Sequence, residues 1–278
     1  MKIEETIRRA LEEDLGTGDH TSLATIPKDA TGISRLLIKE EGILSGVDIA
    51  RMVFREIDGS LAFKNLIHDG SHVKPGDIAF EVSGSVRSIL AGERLALNFM
   101  QRMSGIATAT RQMAELVAGT KARLLDTRKT TPLLRELEKM AVRTGGGENH
   151  RMGLYDMIMI KDNHIDFAGG IRQAIEAVED YLSKKDESLK IEIEVRNFEE
   201  LHQVLSIGKI HRIMLDNFTP ANLAKAVEII GGRFETEASG GINLQNIREY
   251  AETGVDFISV GSLTHHIRSL DMSLKAVK

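Results

Sequence analysis

The stretch from Leu124 to Ile165 reads LLDTRKTTPLLRELEKMAVRTGGGENHRMGLYDMIMIKDNHI. It contains two short apolar runs that end in charged residues, Thr127-Arg128-Lys129 after the first and Lys161-Asp162-Asn163 after the second. Between the runs, residues 133–144 have the apolar spacing of a helix. An apolar run, a helix and a second apolar run form a βα repeat, which predicts parallel strands in one sheet.

The same repeat continues toward the end of the chain. Its even spacing, without a Gly-x-Gly-x-x-Gly turn, favours a closed α/β barrel over a dinucleotide-binding fold. Six units predict a barrel that is smaller or less regular than the eight-stranded kind. The apolar runs are 122–126, 157–161, 191–195, 212–216, 234–238 and 257–261, and the helical patterns are 133–144, 170–182, 198–205, 220–230 and 244–253.

The first hundred residues have a different pattern. An amphipathic helix is predicted at 3–15, a short helix at 48–57, and strands at 32–38, 61–67 and 78–82, with a turn at Lys74-Pro75-Gly76-Asp77. This mixture predicts a small α+β domain. Gly105 interrupts the helical pattern that follows, so the expected division is an N-terminal domain at 1–105, a barrel domain at 106–264, and a C-terminal segment, 265–278, that packs back on the N-terminal domain.

Composition excludes several classes of protein. The 278 residues are 42% hydrophobic and 28% charged, which is typical of a globular chain and excludes a disordered one. Cysteine is absent, so disulfides, thiolate catalysis and cysteine-bound metals are excluded. The acidic start and the lack of an apolar run near the ~18 residues of a membrane span predict a cytoplasmic protein. A net charge of -5 argues against a broad nucleic-acid surface.

Polar residues follow nearly every predicted strand at its carboxyl end, where barrel enzymes place their active sites. If these ends converge, they form a pocket that suits a small, multiply anionic ligand, because guanidinium and ammonium groups pair with carboxylates and phosphates. The alternative for each cation is an ordinary surface position. The cationic side chains of this pocket are Arg128, Lys129, His150, Arg151 and Lys161.

Two acids and two glycine-containing segments extend this pattern. Glu194 and Asp216 are candidates for holding a divalent cation, directly or through water, or for neutralising the nearby lysines. Ser239-Gly240-Gly241 and Gly261-Ser262 offer backbone N–H groups to a phosphate. An acid inside a buried parallel strand, as at Glu192 and Glu194, is unusual and needs a reason.

These residues resemble the quinolinate phosphoribosyltransferases, the decarboxylating nicotinate-nucleotide pyrophosphorylases, over nearly the whole chain. The matching motifs include Leu11-Glu12-Glu13-Asp14-Leu15-Gly16, Gly92-Glu93-Arg94, Asp126-Thr127-Arg128-Lys129-Thr130, Asn149-His150-Arg151-Met152-Gly153-Leu154, Ile160-Lys161-Asp162-Asn163-His164, Glu192-Ile193-Glu194-Val195, Met214-Leu215-Asp216-Asn217 and Ser239-Gly240-Gly241. The resemblance implies an open, irregular barrel and a homodimer whose sites are completed across the interface. The implied reaction converts quinolinate and phosphoribosyl pyrophosphate, with magnesium, to nicotinate mononucleotide, pyrophosphate and carbon dioxide.

The resemblance also implies a role for each candidate residue. Quinolinate carboxylates are expected to bind Arg128, His150 and Arg151, with Arg94 reaching in from the partner subunit. The lysines, Lys129 and Lys161, are expected between quinolinate and the sugar pyrophosphate. The remaining residues are expected on the second substrate: Glu194 and Asp216 on the ribose hydroxyls and magnesium, and Ser239, Gly240, Gly241, Gly261 and Ser262 on the 5-phosphate.

One departure and several rival functions remain. Leu133 stands where a glycine is expected, after Pro132. The rivals are a relative associated with molybdenum transport that uses another phosphoribosyl acceptor, a nicotinate phosphoribosyltransferase, and a non-catalytic protein that binds a phosphate ligand or nucleic acid. The run from His150 to Asp156 favours the quinolinate enzyme over the first. A monocarboxylate needs fewer cations, and an aromatic content of 4% argues against nucleic-acid stacking.

Overall fold

The computed structural model describes residues 2–185 and 188–277. The chain divides into two compact units: Met1–Arg111, Thr130–Gly146 and Leu263–Lys278 form the first, and Gln112–Lys129 and Gly147–Ser262 form the second. In the predicted division the chain passes from one domain to the other twice. Here it changes unit four times, because residues 130–146 belong to the first unit although they lie between two strands of the second.

The first unit is built on an antiparallel sheet of four strands in the order β12-β1-β5-β3, so the C-terminal strand pairs with β1. Two helices cross from one unit into the other, α4 (Val86–Val117) and α11 (Ser262–His265). The other elements of this unit are α1 (Ile3–Leu15), α2 (His20–Thr25), β1 (Thr31–Ile38), β2 (Gly42–Ile43), α3 (Val47–Ile57), β3 (Ala62–Asn65), β4 (His72–Val73), β5 (Ile78–Ser85), α5 (Arg135–Gly145) and β12 (Met272–Ala276).

The core of the first unit contains an aromatic cluster. Phe54 of α3, Phe63 of β3 and Phe80 of β5 lie with ring centroids 4.5 to 6.2 Å apart. Helix α3 buries Val47, Ala50 and Phe54 among others, the spacing that places apolar residues on one helical face. This face covers the sheet, as expected for an α+β layer arrangement.

Helix α4 is continuous, so Gly105 does not break it. A Cβ at this position would lie 2.2 Å from the carbonyl oxygen of Arg268. The glycine therefore permits the close approach of two backbone segments within the first unit. The low helix propensity of glycine predicts a break at this position, but this tertiary contact overrides that preference.

The second unit is an open α/β barrel of six parallel strands. Their order in the sheet is β6-β11-β10-β9-β8-β7. Their bounds agree with the predicted apolar runs to within one or two residues at each end. The elements are β6 (Arg123–Leu125), β7 (Ile158–Ile160), α6 (Asp162–Ala168), α7 (Ile171–Ser183), β8 (Ile191–Val195), α8 (Phe198–Ile207), β9 (Arg212–Asp216), α9 (Pro220–Ile230), β10 (Glu235–Ser239), α10 (Ile247–Ala251) and β11 (Phe257–Ser259).

The spacing of the apolar runs favours a closed barrel, but the open, irregular barrel that the family resemblance implies is the one observed. Strands β6 and β7 are the two edges of the sheet, and within residues 2–185 and 188–277 no ladder joins them. The segment that precedes His150 runs beside β6 instead: Glu148 N–H donates to the carbonyl of Leu124 at 2.8 Å, and its own carbonyl accepts from Asp126 N–H at 3.2 Å. This pairing satisfies the β6 edge and fixes the backbone that leads into His150.

Side-chain caps set the start of two barrel helices. The Asn197 side chain accepts from the N–H of Glu200 at the start of α8, and Thr219 accepts from Asn222 at the start of α9, where Pro220 occupies the first helical position. Each helix thus begins a few residues after its strand ends. In the part of the chain that the structure describes, no helix is both long and apolar enough to cross a membrane.

Candidate active site

All of the predicted site residues except Arg94 belong to the second unit. Arg94 lies in the first unit, on α4, and is exposed. The others lie at or just after the carboxyl ends of the six barrel strands, or occupy the segment beside β6. Because parallel strands end at the same edge of a sheet, this edge carries both the cationic and the acidic candidates.

The first cationic group follows β6. Arg128 and Lys129 are exposed, and the Thr127 hydroxyl accepts from the Lys129 N–H at 3.0 Å, which makes a tight turn directly after the strand. The two side chains therefore leave the sheet from a compact, ordered tip. This tip is the one that the sequence predicts.

The Arg151 guanidinium lies close enough to Arg128 to be affected by its charge. Burial lowers the pKa of Arg151, and the Arg128 charge lowers it further. The Arg151 Nη1 donates to the Met157 carbonyl at 3.1 Å, whereas its buried Nε has no hydrogen-bond partner among the described residues. Two neighbouring cations and an unused buried donor are the arrangement that an anionic ligand would satisfy.

His150 is buried, and both ring nitrogens face groups of the protein. Its Nε2 lies 2.9 Å from a carboxylate oxygen of Glu192 and 3.3 Å from one of Glu237. Its Nδ1 accepts from the backbone N–H of Arg151 at 2.7 Å, and the backbone N–H of His150 donates to Asp126 Oδ1 at 2.8 Å. The predicted contact between His150 and a ligand carboxylate therefore stays a prediction, since the ring already has protein partners on both sides.

Two influences on the His150 ring oppose each other. Burial lowers the pKa of His150, but the Glu192 and Glu237 carboxylates outweigh it and raise the pKa to about 9. The Arg151 N–H, in contrast, occupies the Nδ1 lone pair that a second proton would need. With Nδ1 accepting the Arg151 N–H, we assign the ring proton to Nε2, where it faces the two carboxylates.

The acidic candidates follow two neighbouring strands, β8 and β9. Glu194 Oε2 lies 3.8 Å from Lys161 Nζ. Burial and the nearby Asp216 carboxylate raise the pKa of Glu194, and burial likewise raises the pKa of Asp216. The two carboxylates thus share one partly desolvated region with Lys161. A divalent cation there would offset their repulsion, so the donor set fits Mg²⁺, which prefers carboxylate oxygens.

Asp162 is a third acid of this region that the candidate set omits. Its charge raises the pKa of both Glu194 and Asp216, which places it near them. The sequence signal was available, because Asp162 follows Lys161 directly at the end of β7. The prediction includes Asp162 in the charged tip after β7 but not among the site residues.

The segment after β10 makes a sharp turn. Gly240 and Gly241 have φ angles of +94° and +64°, and a Cβ at Gly240 would lie 2.2 Å from the Asn217 side-chain oxygen. Only glycine fits that position. Helix α10 begins at Ile247, so any phosphate contact here would come from the turn rather than from a helix N-terminus.

The glycines at 145–147 lie at the end of helix α5 and directly after it. Gly145 is the last residue of α5, and its Cβ would lie 2.5 Å from the Ala107 carbonyl oxygen. Gly146 ends the helix with a φ of +100°, the left-handed conformation common at that position. Close helix packing and helix termination explain two of the three glycines.

The sequence pattern singles out one charged residue inside the barrel, Glu192, but not the two that lie beside it. Glu237 and Arg212 are buried beside Glu192, the strand acid that needed a reason. Arg212 Nη1 donates to Glu237 at 2.8 Å, and its guanidinium also pairs with Glu235 at 3.0 Å. The signal for these residues was weak, because alternating charges in short strands are also typical of exposed positions.

A cavity of about 370 Å³ lies at the other end of the strands. Arg123, Arg212, Glu235 and Phe257 line it, and each is the first residue of its strand. The cavity also reaches His150 and Arg151. It is therefore separate from the strand ends that carry Lys161, Glu194 and Asp216, none of which lines it.

The fold and this strand edge define the class: an α/β barrel enzyme with cations and carboxylates arranged for small anionic substrates. The quinolinate phosphoribosyl transferase C-terminal domain model matches residues 106–275, and the corresponding N-terminal domain model matches residues 19–104. The chain belongs to the quinolinate phosphoribosyltransferase family.

Similar proteins are found among plants and bacteria. The chloroplastic nicotinate-nucleotide pyrophosphorylase (carboxylating) of Arabidopsis thaliana is 48% identical, over 97% of this chain and 81% of its own. The enzyme of the same name from Mycobacterium leprae is 42% identical, over 97% and 95%. The solved structure of NadC from Streptococcus pyogenes has a TM-score of 0.93 and 38% identity, over 99% of this chain and 97% of its own.

Proposed function

We propose that this protein is the decarboxylating quinolinate phosphoribosyltransferase of NAD biosynthesis. The pyridine nitrogen of quinolinate bonds to the anomeric carbon of phosphoribosyl pyrophosphate as the bond to pyrophosphate breaks. The 2-carboxylate leaves as carbon dioxide, and the electron pair of the broken bond takes up a proton. Nicotinate mononucleotide and pyrophosphate are the other products. The family membership and the relatives named above support this function.

The single observation that supports the acceptor most strongly is the pair of guanidinium groups of Arg128 and Arg151. They lie within each other's electrostatic influence, and Arg151 retains a buried donor without a hydrogen-bond partner among the described residues. Like charges at this range repel, so a dicarboxylate between them would relieve the repulsion and fill the donor. Quinolinate carries two adjacent carboxylates and meets that requirement.

The proposed site for the second substrate is the acidic region after β8 and β9. Glu194 and Asp216 would hold the ribose hydroxyls and Mg²⁺, directly or through water, with Lys129 and Lys161 beside the pyrophosphate. When bound, Mg²⁺ neutralises charge on the leaving pyrophosphate. The two carboxylates favour the positive charge that develops at the anomeric carbon. The 5-phosphate would meet Ser239, Gly240, Gly241, Gly261 and Ser262.

The proposed assembly is a homodimer in which Arg94 completes the partner's site. Arg94 is exposed on α4 and belongs to a different unit from the other cations. In a two-fold dimer the same patch of each subunit can serve the other's pocket, which gives Arg94 an acceptor carboxylate to contact.

Purified protein with quinolinate, phosphoribosyl pyrophosphate and Mg²⁺ should form nicotinate mononucleotide, detected by chromatography. Arg128→Ala should abolish this activity. Arg172→Ala should retain it, because Arg172 lies on α7 and forms its ion pair, within the described residues, with the exposed Glu176. Product from another phosphoribosyl acceptor alone would favour the relative associated with molybdenum transport. No turnover with any acceptor would favour a phosphate-ligand binding protein.

A further inference from the structure

Four ionisable side chains occupy the interior of the six-stranded barrel. Glu192 and Glu237 have fully buried side chains, His150 is 4% exposed, and Arg212 is 10% exposed. Barrel interiors of this kind are normally filled by branched apolar residues. The proposed reaction assigns no chemistry to Glu192, Glu237 or Arg212, so their presence needs another explanation.

The four side chains form one connected cluster. The carboxylate of Glu237 receives Arg212 Nη1 at 2.8 Å and lies 3.3 Å from His150 Nε2, while Glu192 lies 2.9 Å from the same nitrogen. The Arg212 guanidinium is held from its other side by the Phe257 ring, 3.9 Å from the ring centroid. Two carboxylates thus face one guanidinium and one imidazole.

Stability alone does not account for this cluster. The desolvation cost of buried ion pairs offsets much of their attraction, and apolar replacements of similar volume are often as stable or more stable. Glu192 adds to that cost, because burial and the neighbouring Glu237 carboxylate both raise the pKa of Glu192 and so disfavour its charged form.

The cluster holds the His150-Arg151 segment. The imidazole contacts both carboxylates through Nε2, and its Nδ1 accepts the backbone N–H of Arg151 at 2.7 Å. A rotation of the ring would therefore break the bond to Arg151. Because the Arg151 side chain also anchors on the Met157 carbonyl, a shift of its backbone would move the guanidinium relative to Arg128.

We propose that Glu192, Glu237 and Arg212 are positioning residues for the acceptor: they fix the His150 ring, and the ring fixes Arg151 for a substrate carboxylate. The inference rests on the proposed function of Arg151. It gives the buried strand acid Glu192 a role distinct from that of Glu194, two residues later on β8. It also separates the acceptor half of the site from the phosphoribosyl half.

A metal ion is the competing explanation, since one ligand atom each from His150, Glu192 and Glu237 lies within 4.8 Å of the others. The geometry favours the positioning role. With Nδ1 accepting the Arg151 N–H, the ring carries its proton on Nε2, which is the nitrogen that would have to bind the metal. Arg212 already supplies a positive charge to Glu237.

The test compares Glu192→Gln, Glu237→Gln and the triple variant that combines Glu192→Met, Arg212→Met and Glu237→Met. Each of the three should raise the quinolinate KM by about tenfold or more, because small misplacements of a binding group are costly, while the phosphoribosyl pyrophosphate KM stays unchanged. The triple variant should keep a melting temperature near that of the parent. Glu235→Gln is the matched control: Glu235 pairs with Arg212 but is 37% exposed and has no reported contact with His150, so both KM values should hold.

A folded triple variant with an unchanged quinolinate KM would overturn the proposal, as would equal rises in both KM values. Stoichiometric metal in the purified parent that is lost in Glu192→Gln would also overturn it, in favour of the metal site. Amide NMR separates this result from a failure of the proposed function. If the parent does not use quinolinate, the Arg151 backbone N–H resonance should still shift in Glu192→Gln and remain in place in Glu235→Gln.

Discussion

Lys161 Nζ lies 3.8 Å from Glu194 Oε2, across the neighbouring strands β7 and β8. The pair joins one of the proposed pyrophosphate cations to one of the proposed ribose carboxylates. Burial and Asp216 raise the pKa of Glu194, and Lys161 opposes that rise. The ion pair therefore favours the ionised form of Glu194.

Glu194→Gln and Asp216→Asn should each lower kcat by about 100-fold or more, because the carboxylates act on charge that develops only in the transition state. Quinolinate binding without the second substrate should persist. Steady-state kinetics and calorimetry measure the two effects. Lost quinolinate binding with intact turnover would reverse the assignment.

The pH profile should show the raised pKa of Glu194. A carboxylate that must be ionised loses function as the pH falls through its pKa, so the acid limb of the kcat/KM profile for phosphoribosyl pyrophosphate should lie above the ordinary value of 4.5. Lys161→Met removes the charge that opposes the shift and should move this limb to higher pH. A limb that stays in place in Lys161→Met would show that the pair does not set it.

Nicotinate should be a far poorer acceptor than quinolinate, by a factor on the order of 10⁴, because a site built for a polar group rejects the analogue that lacks it. Arg128 and Arg151 would be left facing each other across a missing carboxylate. Competition assays that follow both products provide the measurement. Comparable kcat/KM values for the two acceptors would contradict this account of the cations.

Leu133→Gly should stabilise the protein by about 0.5–1 kcal/mol, since Leu133 has a φ of +67°, which is strained for a branched side chain and relaxed for glycine. Its side chain is 71% exposed, so little apolar burial is lost. Leu133→Ala keeps the Cβ and therefore the strain, and it should leave the urea midpoint unchanged. Equal effects of the two substitutions would show that backbone strain is not the cause.

Arg94→Ala and Lys129→Ala should each be nearly inactive, and refolding them together should restore activity. If Arg94 serves the partner's site, each mixed dimer has one doubly altered site and one intact site. Random pairing then returns about a quarter of the parent activity. Mass spectrometry confirms the mixed dimers; their presence without recovery would place Arg94 outside the partner's site.

The sequence predicted the six strands because short apolar runs and helical spacing are local signals. The spacing of these runs does not show that β6 and β7 stay apart, because the pairing of Glu148 with β6 depends on tertiary position; the open barrel follows from the family resemblance. The role of Gly105 is not predicted for a similar reason, because the backbone that it approaches, at Arg268, is distant in the sequence. The exposed site candidates belong to recognisable sequence motifs. Buried Glu237 and Arg212 do not, because their role depends on where His150 lies in the folded protein.

The central claim is decarboxylating phosphoribosyl transfer, and the most direct test follows the carbon that is lost. Quinolinate labelled with ¹³C in the 2-carboxylate is incubated with the protein, phosphoribosyl pyrophosphate and Mg²⁺, and all products are quantified. The account predicts labelled carbon dioxide, unlabelled nicotinate mononucleotide and pyrophosphate in equal amounts. A nucleotide product that retains the label, or pyrophosphate release without labelled carbon dioxide, would contradict it.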